Sequence, residues 1–307
     1  MPRSSIRRLT AAVVTALAVV AVVIAAVVLT LVDDASAGAG SVVPANAQLH
    51  QQQKPVYAAL GSSFAAGPGE GDPVPGRCGQ TSDNYPRRVA AELGMRLIDA
   101  SCSGATAEDI LRPSVKHPER GAQLAKVPAD ASLVTITVGG NDVGYISRTV
   151  TSACSNLAAG LYLPPAPAEQ FCKAITVPSQ FPDPGRFAQV QQTLVDVVHA
   201  VRARAPQARV VLVQYPPVVS VNEAPCAALP LEPWQVVSTA AVGEELRAAT
   251  LRAGQAAGAQ VVGFDQAAAH TVCSAQPWIR GFGKKTPYHP NKQGKSEMAA
   301  ELVSALR

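Results

Sequence analysis

Between residues 55 and 307, short aliphatic runs alternate with longer stretches whose apolar positions recur every three or four residues. Val56–Leu60, Arg96–Ala100, Leu133–Val138, Val210–Val213 and Val261–Phe264 have the length and β-branched content of buried strands. Leu133–Val138 carries the strongest signal and ends in Gly139-Gly140. Tyr85–Leu93, Phe187–Arg204, Trp234–Arg252 and Gly294–Leu306 show helical spacing, clearest in Phe187, Val190, Leu194, Val197, Val198 and Val201. Thr151–Pro184 is proline-rich, contains Cys154 and Cys172, and suggests a long ordered loop or cover. No internal repeat interrupts the alternation. Strands separated by helices point to one α/β domain, residues 55–307, built on a mostly parallel sheet.

The N-terminus has a different pattern. Arg3, Arg7 and Arg8 precede an apolar run from Leu9 to Val32, which Asp33 and Asp34 terminate. A secretory signal core spans about 7–15 residues and a bilayer span about 17–25, so this run has the length of a span. Ala35-Ser36-Ala37 nevertheless offers the small residues that a signal peptidase accepts. Residues 1–37 are therefore expected to act as a cleaved signal or an uncleaved membrane anchor, and 38–54 as a flexible spacer. Either way the arginines favour the cytoplasmic side, and the domain is expected outside the membrane, secreted or tethered to it.

Composition narrows the classes. With 48% hydrophobic and 16% charged residues in 307, the chain is too apolar for a disordered protein. The net charge of +4 has no dense Lys/Arg tract and aromatics make up 5%, so no nucleic-acid partner is expected. Six cysteines (Cys78, Cys102, Cys154, Cys172, Cys226 and Cys273) are widely spaced, without a Cys-x-x-Cys pair. A zinc site, or any metal, is not expected; three disulfides in an oxidising compartment are. Six cysteines permit 15 pairings. Pairing sequential neighbours, 78–102, 154–172 and 226–273, is the arrangement favoured here.

Ligands of open α/β sheets gather beyond the carboxyl ends of the strands. Gly61-Ser62-Ser63-Phe64-Ala65-Ala66-Gly67 follows the first strand, and Ser101-Cys102-Ser103-Gly104-Ala105 the second. Gly139-Gly140-Asn141-Asp142 follows the third, and Tyr288-His289-Pro290-Asn291 precedes the last helix. A hydroxyl, backbone and amide donors and an imidazole at one sheet edge form the inventory of acyl transfer. Each stretch alone reads as an ordinary turn, and Gly104 alone as close packing. Their joint occurrence at successive strand ends is what points to catalysis. His50, His117, His199 and His270 lack such a setting.

In these four ordered motifs the chain resembles the SGNH (GDSL-type) hydrolases, and most closely their secreted actinobacterial esterase/lipase branch. The resemblance implies a flavodoxin-like three-layer α/β/α sandwich with a mostly parallel five-stranded sheet, and the same sequential disulfides. It implies Ser63 as nucleophile and His289 as general base. The Ser63 and Gly104 backbone N–H groups and the Asn141 amide would form the oxyanion hole. Losing one such donor costs roughly a hundred- to a thousandfold in turnover, so Asn141→Ala should damage rate more than folding.

Two departures stand out. The family's usual Asp before the nucleophile is Ser62 here, which also makes Ser62 a rival nucleophile. Thr286 stands where many relatives have Asp three residues before the histidine. The backbone carbonyl of Thr286 is then expected to accept from His289 Nδ1 and fix the tautomer, the role whose loss in a triad costs about 10⁴. If His289 opens the last helix with Pro290 in its first turn, the helix N-terminus also disfavours imidazolium. Trp278, Ile279, Phe282 and Tyr288 are candidates for an apolar rim, and Lys284 and Lys285 for solvated or anion-drawing charges.

The expected activity is carboxylic-ester hydrolysis of acyl, lipid-like substrates through an acyl-enzyme, by a monomer, with no cofactor. Acyl removal or transfer on cell-envelope sugars is an alternative. A non-catalytic binding protein on the same scaffold is another, favoured by the missing acids at 62 and 286.

Overall fold

The structure, a computed structural model, describes residues 54–76, 78–160, 172 and 181–307. The expected signal or anchor and the spacer up to residue 53 lie outside them. Among the described residues no helix is long and apolar enough to cross a membrane.

Strand β1 (Val56–Gly61) is buried along its whole length and leads into α1 (Ser63–Ala66), a single turn. Helix α2 (Tyr85–Glu92) starts where the Asn84 side chain accepts from Arg87 N, with Pro86 in its first turn, and β2 (Arg96–Asp99) follows. The short α3 (Glu108–Leu111) precedes β3 (Ala131–Thr137), and α4 (Tyr145–Ala158) comes after it. Further along come α5 (Pro184–Arg204), β4 (Arg209–Val213), α6 (Pro233–Ala257), β5 (Gln260–Val262) and α7 (Lys292–Leu306).

All pairings in the sheet are parallel and its order is β2-β1-β3-β4-β5. Alternation along the strands divides the core between two faces. Ala58, Leu60, Val134, Ile136, Val210 and Leu212 pack with Tyr145, Phe187, Leu194 and Leu246 on the face covered by α4, α5 and α6. Tyr57, Ala59, Leu133, Val211 and Val213 pack with Tyr85, Val89, Met298 and Leu302 on the face covered by α2 and α7. These are the three layers of the expected sandwich.

One expectation needs correction. Residues 151–158 are not loop but the second half of α4, whose Thr149, Val150, Ala153 and Cys154 are buried. Helical spacing persists there, and the proline content that suggested a loop begins only beyond it.

Strand order reverses between β1 and β3: the chain leaves β1 for β2 on one side and returns to β3 on the other. The crevice at such a switch point is where open α/β sheets bind ligands. Here it is bordered by Ser62 and Ser63 after β1 and by Gly139–Asp142 after β3.

Candidate active site

The end of β1 is held from three sides. Cys102 N donates to Gly61 O at 2.9 Å, and Ser62 N donates to Thr137 O at 2.8 Å. The buried Gln123 amide takes the N–H of Gly61 at 2.7 Å and donates to its carbonyl at 3.0 Å. Ser63 is the first residue of α1, so its backbone N–H has no acceptor within the helix. Ser62 is 0% exposed, and its hydroxyl shares a 2.6 Å hydrogen bond with the Tyr215 hydroxyl. Tyr215 also accepts from Gly140 N at 3.2 Å. Ser62 therefore ties the first motif to the third, and its committed, buried hydroxyl is a poor nucleophile.

Ser63 Oγ lies 2.8 Å from His289 Nε2. On the far side of the ring, Nδ1 lies 2.9 Å from the carbonyl oxygen of Pro287. A carbonyl only accepts, so Nδ1 carries the hydrogen and Nε2 keeps a lone pair that faces the Ser63 hydroxyl. This corrects the expectation of a hydrogen bond to Thr286. Thr286 and Tyr288 have φ of 52° and 60°, and this left-handed turn brings the carbonyl two residues back, not three, to the ring. The Thr286 carbonyl accepts from Arg280 Nε at 3.2 Å and adds only a weaker pull on the imidazole.

His289 does not open the last helix either. Asn291 caps α7, accepting from Gly294 N at 2.8 Å, and leaves His289 outside the first turn. Burial against neighbours such as the Phe64 ring, with centroids 5.2 Å apart, pushes the imidazole pKa down to about 4. The Pro287 carbonyl opposes that shift, while the cations Arg280 and Lys295 reinforce it.

The two loops expected to supply oxyanion donors are fastened to each other. Asn141 Nδ2 donates to Ala105 O at 2.8 Å, which uses one of its two N–H groups. Ala107 N donates to both carboxylate oxygens of Asp142, at 3.1 and 3.2 Å. Burial raises the Asp142 pKa to about 6 against the pull of that N–H. Gly104 has φ of +84°, a conformation that costs glycine little and other residues more, and it is exposed, as is Asn141.

Residues 59–296 match the model of the GDSL-like lipase/acylhydrolase family. The chain belongs to this family. It is similar to Lipase 2 of Streptomyces coelicolor, with 32% identity over 319 residues that cover 100% of this chain and 99% of the relative. Among solved structures it is similar to the extracellular lipase of Streptomyces rimosus, at 26% identity and a TM-score of 0.61. Phospholipase A1 of Streptomyces albidoflavus is similar to the same degree. Each comparison covers 82% of this chain and 99% of the other. Within this family the protein is an ester hydrolase.

The three disulfides join Cys78 to Cys102, Cys154 to Cys172 and Cys226 to Cys273, the sequential pairing. The candidate apolar rim does not form: Trp278, Ile279, Phe282 and Tyr288 are 7%, 2%, 5% and 0% exposed and belong to the core. Lys284 and Lys285 are exposed.

Three residues around the family motifs escaped the sequence reading. Tyr215 stands just after β4, so the strand-end rule that found the other motifs was a usable signal. Gln123 and Arg280 sit in stretches without periodicity or motif, and only their tertiary contacts single them out.

Proposed function

We propose that this hydrolase cleaves carboxylic esters with lipid-like acyl groups outside the cytoplasm, through a Ser63 acyl-enzyme. The observation that carries the reading is the relay from Ser63 Oγ to His289 Nε2 at 2.8 Å and from Nδ1 to the Pro287 carbonyl at 2.9 Å. Nucleophile, base and orienter stand in order, with a neutral carbonyl where triads use a carboxylate.

In the forward step, Ser63 Oγ attacks the ester carbonyl carbon while its proton moves to His289 Nε2. The carbonyl oxygen becomes an oxyanion, received by the N–H groups of Ser63 and Gly104 and the second N–H of the Asn141 amide. Collapse breaks the C–O bond, and the alcohol leaves with the proton from Nε2. Water then repeats the sequence, releasing the acid and restoring Ser63. The names of the Streptomyces relatives, lipase and phospholipase A1, favour lipid esters as the substrate class. Three disulfides favour an oxidising, extracytoplasmic setting.

The test is hydrolysis of p-nitrophenyl esters of graded chain length by the wild-type domain and by Ser63→Ala and Ser62→Ala. Ser63→Ala should abolish turnover and labelling by an organophosphonate, and Ser62→Ala should retain both. Wild-type protein that releases no p-nitrophenol at any chain length would sink the proposal in favour of a binding module.

A further inference from the structure

The loop that presents His289 is held in an unfavourable shape. Thr286 and Tyr288, on either side of Pro287, are both non-glycine residues with positive φ. Such residues are strained and persist only where their surroundings hold them. No carboxylate at position 286 ties the loop to the imidazole.

Arg280 supplies the restraint. It is 6% exposed and reaches the loop through both backbone and side chain. Its N–H donates to His289 O at 2.9 Å, and its carbonyl accepts from Tyr288 N at 2.9 Å. Its Nε donates to Thr286 O at 3.2 Å, and its Nη2 donates to Pro68 O at 2.6 Å. Pro68 lies five residues beyond Ser63, on the segment leaving the nucleophile turn. One guanidinium thus joins the strained histidine loop to the serine segment. Close approach is built in on the other side as well: a Cβ on Gly69 would stand 1.9 Å from Arg280 Nη1.

We propose that Arg280 is the positioning residue of the Ser63–His289 pair, holding in register with the nucleophile the loop whose Pro287 carbonyl orients the imidazole. The proposal rests on the acyl-enzyme reading above. Its chemical consequence differs from that of an acid. A carboxylate would stabilise imidazolium, whereas a guanidinium in this place holds the geometry and disfavours that charge. Lys295, on α7, is the other cation acting on His289, but its Nζ lies 2.7 Å from Asp83 Oδ1 and 2.7 Å from Glu70 O. The carboxylates of Glu70 and Asp83 act on Arg280 from the opposite direction to its burial.

The experiment compares Arg280→Lys, Arg280→Gln and Arg280→Met with wild type, using a soluble p-nitrophenyl ester across pH 4–9. Met should lower kcat about ten- to a hundredfold with KM nearly unchanged, because Arg280 is buried and presents almost no surface to a substrate. Gln and Met should move the acidic limb of kcat/KM upward, towards the ordinary histidine value near 6.5. Lys, which keeps the charge, should leave the limb in place and recover part of kcat. An unmoved limb in Gln and Met, or a loss carried by KM alone, would overturn the assignment. So would failure of all three variants to fold, which would make Arg280 structural only. A wild type without Ser63-dependent turnover is a different result: it would remove the acyl-enzyme reading itself.

Discussion

On His289, proton position and charge follow from burial and the groups around the ring. The Pro287 carbonyl keeps the hydrogen on Nδ1, burial removes water that would solvate a cation, and Arg280 adds repulsion. The imidazole therefore stays neutral well below the ordinary histidine range. The acidic limb of kcat/KM is expected between pH 4 and 6.5, to be measured with a soluble ester over that interval. The stability effect has a definite sign. With the folded pKa depressed, the unfolded chain takes up the proton first, so stability is full above about pH 6.5 and falls as pH drops towards 4. At the neighbouring position, Ser62 and Tyr215 replace a charge with a shared hydrogen bond. Tyr215→Phe would leave Ser62 Oγ and Gly140 N without that partner in a buried place, at a cost of about 1–3 kcal/mol. The loss should shrink when Ser62→Ala is added, which a double-mutant cycle of urea unfolding would reveal.

At the scale of elements, the site is a meeting of loops that no single strand or helix controls. The segment after β2 and the segment after β3 are joined through Ala105 to Asn141 and Ala107 to Asp142. Ala107 is 0% exposed, so Asp142→Ala would strand its N–H at a cost of about 1–3 kcal/mol. The size of that loss should depend on pH. The Asp142 pKa is raised to about 6, so its contribution to stability is full at low pH and declines as pH rises through 6. The deficit of Asp142→Ala relative to wild type should therefore be larger at pH 5 than at pH 8, in parallel denaturant titrations. Turnover should fall as well, since the two donor loops would no longer be held at one spacing.

At the scale of the molecule, the histidine loop lies in the stretch between β5 and α7, which must be fastened to the rest. Cys226–Cys273 closes a span of 47 residues, and Val272 N donates to Val218 O at 3.0 Å beside it. By chain-entropy reasoning a crosslink of this length stabilises by about 4 kcal/mol. Replacing both cysteines with serine should lower stability by that order, measured by unfolding under non-reducing conditions. The shorter link joins Cys154 on α4 to Cys172, far along the chain from Ser63 and His289. Its removal should spare turnover of a soluble ester at temperatures where the fold persists.

Five strands, four of the helices and the serine, histidine and asparagine motifs were legible along the chain. Each is a local property: period-two or period-3.6 burial, or a cluster of turn residues at a strand end. Thr151–Ala158 reads as loop along the chain only because the proline content beyond residue 160 outweighs the helical spacing before it. Which carbonyl orients His289 was not legible, because it depends on two positive φ angles that no residue type at 286 or 288 announces. Arg280 was equally silent, since a lone arginine acquires its role only when Pro68, Thr286, Tyr288 and His289 are brought around it. Hydrophobic periodicity thus determined the layers and, through them, the edge where the chemistry gathers. Folding alone decided which carbonyl orients His289 and which guanidinium holds its loop, because those depend on loop geometry that local preference does not constrain.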